Sequence, residues 1–326
     1  MRLSLSFKKC CGFMGNNMWF IRKNIYLTGF LIAFLISILL PSSRVFGINK
    51  STNGLVVLMT DYGQSDYYVG ALKGSIYSVY PEARIDDITH LVTPFNIWEG
   101  AYTLSLAAKE FPKGTVFIAV IDPGVGTGRK AIVMETKDGK FFVAPDNGLL
   151  TFVAEEMGIH SIREIKNKAY MRPKESFSAT FHGRDIFGPV GAYLASGVPM
   201  SSIGPQMNDF VKLKIPRAKL RNGKIRGQVI RVDIYGNVIT NISDALLNEA
   251  GIRLGDLVII NFMEKTFPVR FVRTYGDVPK GKKLCHLESR RLLEVSINMG
   301  HLANLLGINV GDEIVIYGER KDKRER

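Results

Sequence analysis

The chain has 326 residues, enough for two ordinary domains or one large one. A composition of 46% hydrophobic and 22% charged residues is that of a packed globular protein, and it excludes a disordered chain, a collagen-like repeat and a polytopic membrane protein. The formal net charge of +13 favours, at first sight, an anionic partner such as a nucleic acid.

The first 47 residues account for much of this charge. They contain six basic residues and no acid, which leaves 37 basic and 30 acidic residues in the rest of the chain. Five more basic residues and three acids lie in the tail at residues 319–326. The body of the chain is therefore only mildly basic, and it has no run of Lys and Arg interleaved with aromatic residues, so we do not expect nucleic-acid binding.

Residues 1–47 have the layout of a secretion signal. A basic segment precedes 16 uncharged and mostly apolar residues at 25–40, and a Pro-Ser-Ser break follows at 41–43. The apolar run is shorter than the roughly 20 residues of a membrane-spanning helix. We expect a cleaved signal peptide or an uncleaved N-terminal anchor, with the body of the chain exported to the periplasmic or extracytoplasmic side.

From residue 55, short apolar runs alternate with helical patterns, which predicts a mostly parallel α/β sheet. We expect this N-terminal α/β domain to occupy residues 48–212. Its predicted strands are residues 55–59, 84–88 and 116–121 and a hairpin of 131–136 with 141–144, and its predicted helices are 67–80, 97–111, 148–157 and 185–195.

The pattern changes near residue 215, beyond which short strands are separated by Gly-Asp and Asn-Gly turns. This spacing is typical of a compact β-barrel or sandwich. We therefore expect a smaller C-terminal β-barrel domain at residues 213–318, followed by the charged tail at 319–326. Its predicted strands are residues 225–234, 238–242, 257–262, 270–274, 292–297 and 313–317.

Two acids, Asp61 and Asp66, lie between the first predicted strand and the first predicted helix. In an open α/β sheet this loop is at the carboxyl edge, where ligands bind. Carboxylates there commonly accept hydrogen bonds from ribose hydroxyls. Asp66 also fits the N-cap of the following helix, whereas Asp61 comes too early in the chain to cap it.

A glycine-rich loop follows the most apolar strand, with Asp122 and Arg129 at its two ends. Its composition is that of a phosphate-binding loop, but a β-hairpin follows the glycines where a dinucleotide fingerprint needs a helix. The tight turn predicts that the side chains of Asp122 and Arg129 reach one pocket. The alternative is a structural ion pair across the loop.

His182 is the histidine with the strongest case for catalysis, because it stands beside Gly183 at the start of a predicted helix. A lone histidine is also commonly structural. The acids and histidines of these loops could also ligate a hard metal ion, although their spacing matches no common metal motif. The candidate ligands are Asp61, Asp66, His90, Asp122 and His182. A metal-dependent phosphohydrolase or nucleosidase therefore stays open as an alternative.

Several segments together resemble one known family, the S-adenosylmethionine hydroxide adenosyltransferases, also called S-adenosylmethionine hydrolases, which are related to the bacterial fluorinase and chlorinase. The resemblance covers residues 54–318 in order. It implies an α/β domain, a β-barrel and a homotrimer whose sites lie between the N-terminal domain of one subunit and the C-terminal domain of the next. The segments are LMTDYG, DYYVGALKGSIYSVYP, THLVTPFNIWEGA, FIAVIDPGVGT, APDNGLLT, TFHGRDIFGP and VDIYGNVITNI.

The resemblance also implies residue roles. Asp122, Arg129 and His182 correspond to a catalytic set that holds and activates water. Asp61 corresponds to the acid that binds the ribose hydroxyls, and Phe95 to a pocket aromatic that is Trp in the fluorinase. The remaining substrate-binding positions are Asp66 and Gly183, then Asp233, Tyr235, Asn237, Ser289 and Arg290 at the methionine end, and Asn298 near the adenine.

Differences from the fluorinase favour water as the nucleophile. The fluorinase has Tyr and Ser at the positions of His182 and Gly183, but Gly183 alone would not exclude chloride, because the chlorinase is similar to this chain there. The fluorinase also lacks the Asp122 carboxylate, which would repel a halide but orient a water. The expected reaction is hydrolysis of S-adenosyl-L-methionine to adenosine and L-methionine by in-line attack at C5′, with no cofactor and no metal. The sulfonium leaves as a neutral thioether, so no leaving-group acid is needed.

Two other functions stay open. One is a halide-using, chlorinase-like adenosyltransferase, and the other is an exported protein that binds adenosine-type ligands without turnover. The leader also conflicts with the expected substrate, because S-adenosylmethionine is made in the cytoplasm. Three explanations stay open. Either the enzyme meets leaked or imported substrate, or its substrate is a related adenosyl compound, or the export prediction is wrong.

Overall fold

The computed structural model describes residues 51–262 and 264–319, and from Ser51 onward the chain forms one compact unit. The leader predicted at residues 1–47 lies outside the described residues, as does the charged tail beyond residue 319. Within the described ranges, no helix has the length and apolar character needed to cross a membrane.

A six-stranded sheet forms the N-terminal part of this unit. Its strands are β1 Leu55–Thr60, β2 Arg84–Thr89, β3 Val116–Val120, β4 Ala131–Thr136, β5 Phe141–Pro145 and β6 Ile159–Glu164. They lie in the order β2-β1-β3-β5-β4-β6, and β1, β2, β3 and β5 are parallel while β4 is antiparallel to both of its neighbours. The predicted mostly parallel α/β sheet is confirmed.

The central strand β3 shows why the sequence contains continuous apolar runs. All five of its residues are buried, and successive side chains point to opposite faces of the sheet. Phe117 and Ala119 pack into the cluster beneath one pair of helices, and Val116, Ile118 and Val120 pack into the cluster on the other face. A strand covered on both faces needs apolar residues at every position.

Four helices cover the sheet, namely α1 Tyr68–Tyr77, α2 Ile97–Ala108, α3 Thr151–Met157 and α4 Gly188–Ser196. Two of them begin three residues later than the sequence predicts, and each has a local reason. Gly148 has a φ of +100°, which is incompatible with a helix, so α3 begins only at Thr151. Residues Gly183–Phe187 form a single π-helical turn, so the regular part of α4 begins at Gly188.

The C-terminal part is a closed barrel of seven strands, which confirms the predicted β-barrel. Around the barrel the order is β8-β9-β13-β12-β11-β10-β14, and β14 pairs with β8 to close it, while the short β7 adds to the edge of β8. The strands are β7 Lys219–Arg221, β8 Lys224–Val232, β9 Val238–Ser243, β10 Leu257–Phe262, β11 Lys265–Phe271, β12 Lys283–Leu287, β13 Leu292–Ile297 and β14 Glu313–Gly318, with short helices α5 Asp244–Glu249 and α6 Leu302–Leu306.

Three strands have no counterpart among the predicted elements. In β6 only Ile162 is buried, and β7 has three residues, two of them charged, so neither shows an apolar pattern. In β12 the buried His286 interrupts the apolar pattern. The strand predicted at residues 270–274 corresponds to β11, which spans Lys265–Phe271 and so begins and ends earlier in the chain.

The sheet and the barrel pack directly against each other. The Trp98 indole N–H on α2 donates a hydrogen bond of 2.8 Å to the Ile230 carbonyl oxygen on β8. Ile230 and Ile239 of the barrel belong to the same buried cluster as the α2 side chains. The domain boundary at residue 212 stays a prediction, and it falls between the last turn of the N-terminal part, Met200–Ser202, and β7.

Candidate active site

The loop after β1 places Asp61 at the carboxyl edge of the sheet. One oxygen of its carboxylate accepts a hydrogen bond of 2.9 Å from the backbone N–H of Phe95, which follows β2. Burial raises the pKa of the Asp61 carboxyl, although this hydrogen bond opposes the shift. The contact joins two loops at neighbouring strand ends, and it leaves the second carboxylate oxygen for a ligand.

Phe95 is held in an unusual backbone conformation. Its φ is +69°, in a region that residues other than glycine rarely adopt, and 71% of the residue is exposed. The hydrogen bond to Asp61 and the start of α2 at Ile97 hold the loop in this shape. Strained, exposed aromatic residues at a sheet edge are typical of binding sites.

Asp122 and Arg129 face each other across the glycine-rich loop. The Arg129 Nε–H lies 2.9 Å from Oδ1 and 3.1 Å from Oδ2 of Asp122, and Nη2 also donates to Oδ2. The two side chains are 5% and 10% exposed, so this is a buried, fork-like ion pair. The Arg129 guanidinium also lies over the Phe187 ring, 5.2 Å from its centre. Because the pair has no net charge, repulsion by Asp122 alone does not distinguish a halide from water.

His182 completes this chain of contacts from the start of the π-helical turn. Its Nδ1 lies 2.8 Å from Arg129 Nη2. A guanidinium can only donate hydrogen bonds, so Nδ1 must be the acceptor and, in the neutral ring, the proton is on Nε2. Burial, and then the positive charge of Arg129, lower the pKa of His182, so the ring is neutral at physiological pH. His182 therefore offers an Nε2–H donor.

A cavity of about 350 Å³ lies at the carboxyl edge of the sheet, and these residues line it, except for Arg129. Both Asp122 and His182 border it, together with Asp61 and Phe95 on the opposite loops. Its lining also includes residues that the sequence did not single out, Tyr62, Tyr68, Pro94, Val120, Val125 and Thr180, beside the predicted Gly183. Tyr62 had one available signal, its position directly after Asp61.

A second set of predicted residues lies in the turn between β8 and β9 of the barrel. Asp233 accepts hydrogen bonds of 2.9 Å from the backbone N–H groups of Tyr235 and Asn237 and from the Asn237 side chain. The Asn237 amide also donates to the Tyr275 hydroxyl at 3.2 Å. Asp233 therefore shapes this turn, and the Tyr235 side chain, in a residue that is 70% exposed, projects from it.

Behind this turn is a buried polar network that the sequence did not reveal. Glu294 Oε1 accepts hydrogen bonds from Tyr275 at 2.6 Å and from Ser296 at 2.7 Å, and it lies 3.0 Å from His286 Nε2. Burial alone would lower the pKa of His286, but the contact with Glu294 outweighs it and raises that pKa. The network connects through Tyr275 to Asn237, so it fixes one side of the turn.

The remaining predicted residues take no part in the hydrogen bonds of either set. Arg290 forms an ion pair with Glu156 of α3, and its guanidinium lies 4.8 Å from the centre of the Tyr102 ring. The Asn298 amide donates to the Val278 carbonyl oxygen at 2.8 Å. Ser289 and Asp66 are exposed, and Asp66 does not cap α1, whose N-cap residue is Tyr67 with no side-chain hydrogen bond.

The sequence predicts no metal site, and the positions of the potential metal ligands in the structure bear on that prediction. Among residues 51–262 and 264–319, no three His, Cys, Asp or Glu side chains are grouped so that they could hold a metal ion. The acids and the histidine of the cavity instead contact Arg129 or a backbone N–H.

Two family profiles match the chain. They are described as the SAM hydroxide adenosyltransferase N-terminal domain, over residues 56–204, and the SAM hydroxide adenosyltransferase C-terminal domain, over residues 227–315. The first match includes every polar residue of the cavity, and the second includes the barrel turn.

Individual proteins are similar over nearly their whole length. A protein named (R)-S-adenosyl-L-methionine hydrolase from Methanocaldococcus jannaschii is 38% identical over 273 residues, which is 81% of this chain and 96% of the relative. A fluorinase from an Actinoplanes species is 28% identical over 81% of this chain and 97% of its own. The crystal structure of an uncharacterized conserved protein from Thermotoga maritima superposes with a TM-score of 0.76 at 43% identity, covering 80% of this chain and 99% of that one.

Proposed function

Since the chain belongs to the S-adenosylmethionine hydroxide adenosyltransferase family, we propose that it hydrolyses S-adenosyl-L-methionine to adenosine and L-methionine. The observation that carries the proposal is the chain of contacts from Asp122 through Arg129 to His182, because both ends of this chain line a cavity that Asp61 also lines. Hydrolysis of a sulfonium needs a positioned water and a fixed ribose, and this cavity offers residues suited to both tasks.

The nucleophile is a water held by His182. The Nε2–H of the neutral ring donates to the water oxygen, and the Asp122–Arg129 pair fixes the ring through Nδ1. In-line attack forms the bond from oxygen to C5′ while the bond from C5′ to sulfur breaks, and methionine leaves as a neutral thioether. Positioning of this kind accounts for a large share of the rate in reactions that need no leaving-group acid.

The released proton passes to Asp122. Once the oxygen has bonded to C5′ it is strongly acidic, so even a carboxylate held by a guanidinium can accept its proton. The Asp122 side chain is 5% exposed, which keeps bulk water from competing for the same place. No step requires a cofactor or a metal ion.

Asp61 binds the ribose hydroxyls with the carboxylate oxygen that Phe95 leaves unused. The Asp233–Asn237 turn binds the methionine portion, with Ser289 and Arg290 beside it and Asn298 near the adenine. In the described chain Arg290 already pairs with Glu156, so a substrate carboxylate would have to share or replace that partner.

The active enzyme is a homotrimer in which the barrel of one subunit completes the cavity of the next. Large exposed aromatic residues in both predicted sets support this assembly, because Phe95 is 71% and Tyr235 is 70% exposed. Ile234, next to Tyr235, is 85% exposed. Exposed apolar side chains of this size, such as the neighbouring Ile234 and Tyr235, are typical of surfaces that another chain covers.

The enzyme acts outside the cytoplasm, or at the membrane if the leader stays attached. The support is the basic and then apolar sequence of residues 1–47. Sequencing the N-terminus of the protein isolated from the cell envelope tests this, because an export signal predicts a new N-terminus near residue 48. An intact N-terminus in the cytoplasmic fraction would contradict export.

Turnover of S-adenosyl-L-methionine tests the function itself. The purified chain should release adenosine and methionine in equal amounts, with or without a chelator. Tight binding without turnover would indicate a ligand-binding protein, and loss of turnover with chelator would indicate a metal-dependent hydrolase. Formation of 5′-chloro-5′-deoxyadenosine at a comparable rate in chloride would indicate a halide-using enzyme.

A further inference from the structure

Tyr62 holds its side chain at a fixed place in the cavity wall. Its ring packs against Tyr68 and Phe181, with 5.9 Å between ring centres in each case. Its backbone N–H donates to the Thr60 hydroxyl at 3.2 Å, and that hydroxyl lies 2.8 Å from Nδ1 of the buried His90. The phenol is therefore held from both the ring and the backbone.

The Tyr62 hydroxyl occupies the space that a side chain at position 183 would need. A Cβ added to Gly183 would lie 2.1 Å from the hydroxyl oxygen and 3.1 Å from the ring carbon that carries it. Gly183 is not among the residues with a positive φ. Glycine is therefore required at this position by the room that Tyr62 takes and not by the backbone conformation.

The hydroxyl is also a free donor beside the catalytic set. Within the described part of the chain it has no protein hydrogen-bond partner, and both Tyr62 and Gly183 line the cavity with His182 and Asp122. Burial, and then the negative charges of Asp61 and Asp122, raise the pKa of Tyr62, so the phenol keeps its proton.

The His182 Nε2–H and the Tyr62 hydroxyl can both donate to the attacking oxygen. The water uses one lone pair for the new bond to C5′ and accepts from His182 Nε2–H with the other. As its proton leaves toward Asp122, the lone pair that is freed accepts from the Tyr62 hydroxyl, and the two donors stabilise the oxygen. Because Asp122 is paired with Arg129, its charge does not exclude a halide. The size of the space for the nucleophile can instead decide between water and chloride.

We propose that Tyr62 is a specificity-determining residue, whose hydroxyl donates to the oxygen nucleophile and, with Gly183, limits its space to the size of a water. The proposal rests on the hydrolysis proposed above. It assigns the choice of nucleophile to a tyrosine that belongs to the ribose-side loop and not to the Asp122–Arg129–His182 set.

The first test is Tyr62→Phe in the full chain, with Tyr77→Phe as the matched control because Tyr77 is 45% exposed on α1. The expected result for Tyr62→Phe is a fall in kcat of at least about tenfold with KM changed less than about threefold, as for removal of a donor to a developing or attacking oxygen. The control should stay within about twofold. Unchanged kcat in Tyr62→Phe, with the unaltered chain active, would overturn the proposal.

Chloride tests the size limit. At high chloride the unaltered chain should form no detectable 5′-chloro-5′-deoxyadenosine, and Tyr62→Phe should form it. Equal chloride product from both proteins would overturn the size limit. Failure of the unaltered chain to hydrolyse S-adenosyl-L-methionine would instead contradict the proposed function.

A stability cycle tests the packing without using activity. Gly183→Ala should lower the melting temperature of the unaltered chain, and the loss should be smaller in the Tyr62→Phe background, because the nearest atom is then 3.1 Å away instead of 2.1 Å. An equal loss in both backgrounds would show that the hydroxyl does not hold that space. If Gly183→Ala folds only in the Tyr62→Phe background, the packing argument is supported directly.

Discussion

Replacement of Asp122 by alanine should cost stability as well as turnover, and the two losses can be separated. In Asp122→Ala the Arg129 side chain, which is only 10% exposed, loses all three hydrogen bonds that its guanidinium donates to the carboxylate. Its nearest remaining contacts are the Phe187 ring and His182 Nδ1. An unpaired buried cation is among the most destabilising changes known for a single site.

The expected loss follows from the burial of this pair. Removal of one partner of a buried ion pair lowers the free energy of unfolding by about 3–5 kcal/mol, because the other charge is left unpaired. For a protein of this size each kcal/mol lowers the melting temperature by about 2–4 °C, so Asp122→Ala should melt roughly 6–20 °C lower. Asp122→Asn keeps one acceptor oxygen for Arg129, and we expect it to lose markedly less stability.

The two variants should differ in stability but not in turnover. Neither variant retains a carboxylate for the proton, so both should lose kcat by about 10²–10⁴-fold. The assays are thermal denaturation and steady-state kinetics at a temperature where both variants are folded. Asp209→Ala is the control, because its ion pair with Lys212 is exposed and its loss should leave the melting temperature almost unchanged.

Two results would refute this reasoning. If Asp122→Ala melts within the range of the Asp209→Ala control, Asp122 and Arg129 do not form a buried pair. If Asp122→Asn keeps the kcat of the unaltered chain, the carboxylate does not accept the proton.

Three further predictions concern binding and pH. Asp61→Asn should raise KM more than it lowers kcat, measured by steady-state kinetics, and equal effects would contradict a ribose-binding role. Because the pKa of His182 is lowered in the folded protein, its contribution to stability should be complete above the pKa of the unfolded chain, about 6.5, and should be lost as the pH falls toward the pKa of the folded protein. Melting curves of His182→Gln should lack this pH dependence. Because the pKa of His286 is raised in the folded protein, its contribution to stability should be complete below a pH of about 6.5 and should be lost as the pH rises through the pKa of the folded protein. An unchanged pH dependence of the melting temperature in His286→Gln would contradict this prediction.

The sequence was sufficient to predict elements whose burial is regular. Strand β3 is buried on both faces, and its continuous apolar run predicts it correctly. The seven-residue separation of Asp122 and Arg129 across a tight turn also predicts their contact, because the loop itself brings them together. Strands β6 and β7 could not be predicted in this way, since their partners in the sheets, and not their own residues, hold them in place.

The contacts that sequence reasoning missed join distant parts of the chain. His182 meets Arg129 across 53 residues, and only the family resemblance indicated that they act together. The contact between His286 and Glu294 spans neighbouring strands, and no local spacing marks it. The fit of Tyr62 against Gly183 depends on distances of a few ångströms between two loops, which residue types alone do not specify.

The most direct test of the account is to follow the oxygen atom. Hydrolysis of S-adenosyl-L-methionine by the purified chain in heavy-oxygen water should give adenosine that carries the heavy atom at its 5′-hydroxyl, as measured by mass spectrometry of the fragmented product. Unlabelled adenosine, or a heavy atom in the methionine instead, would contradict attack by water at C5′.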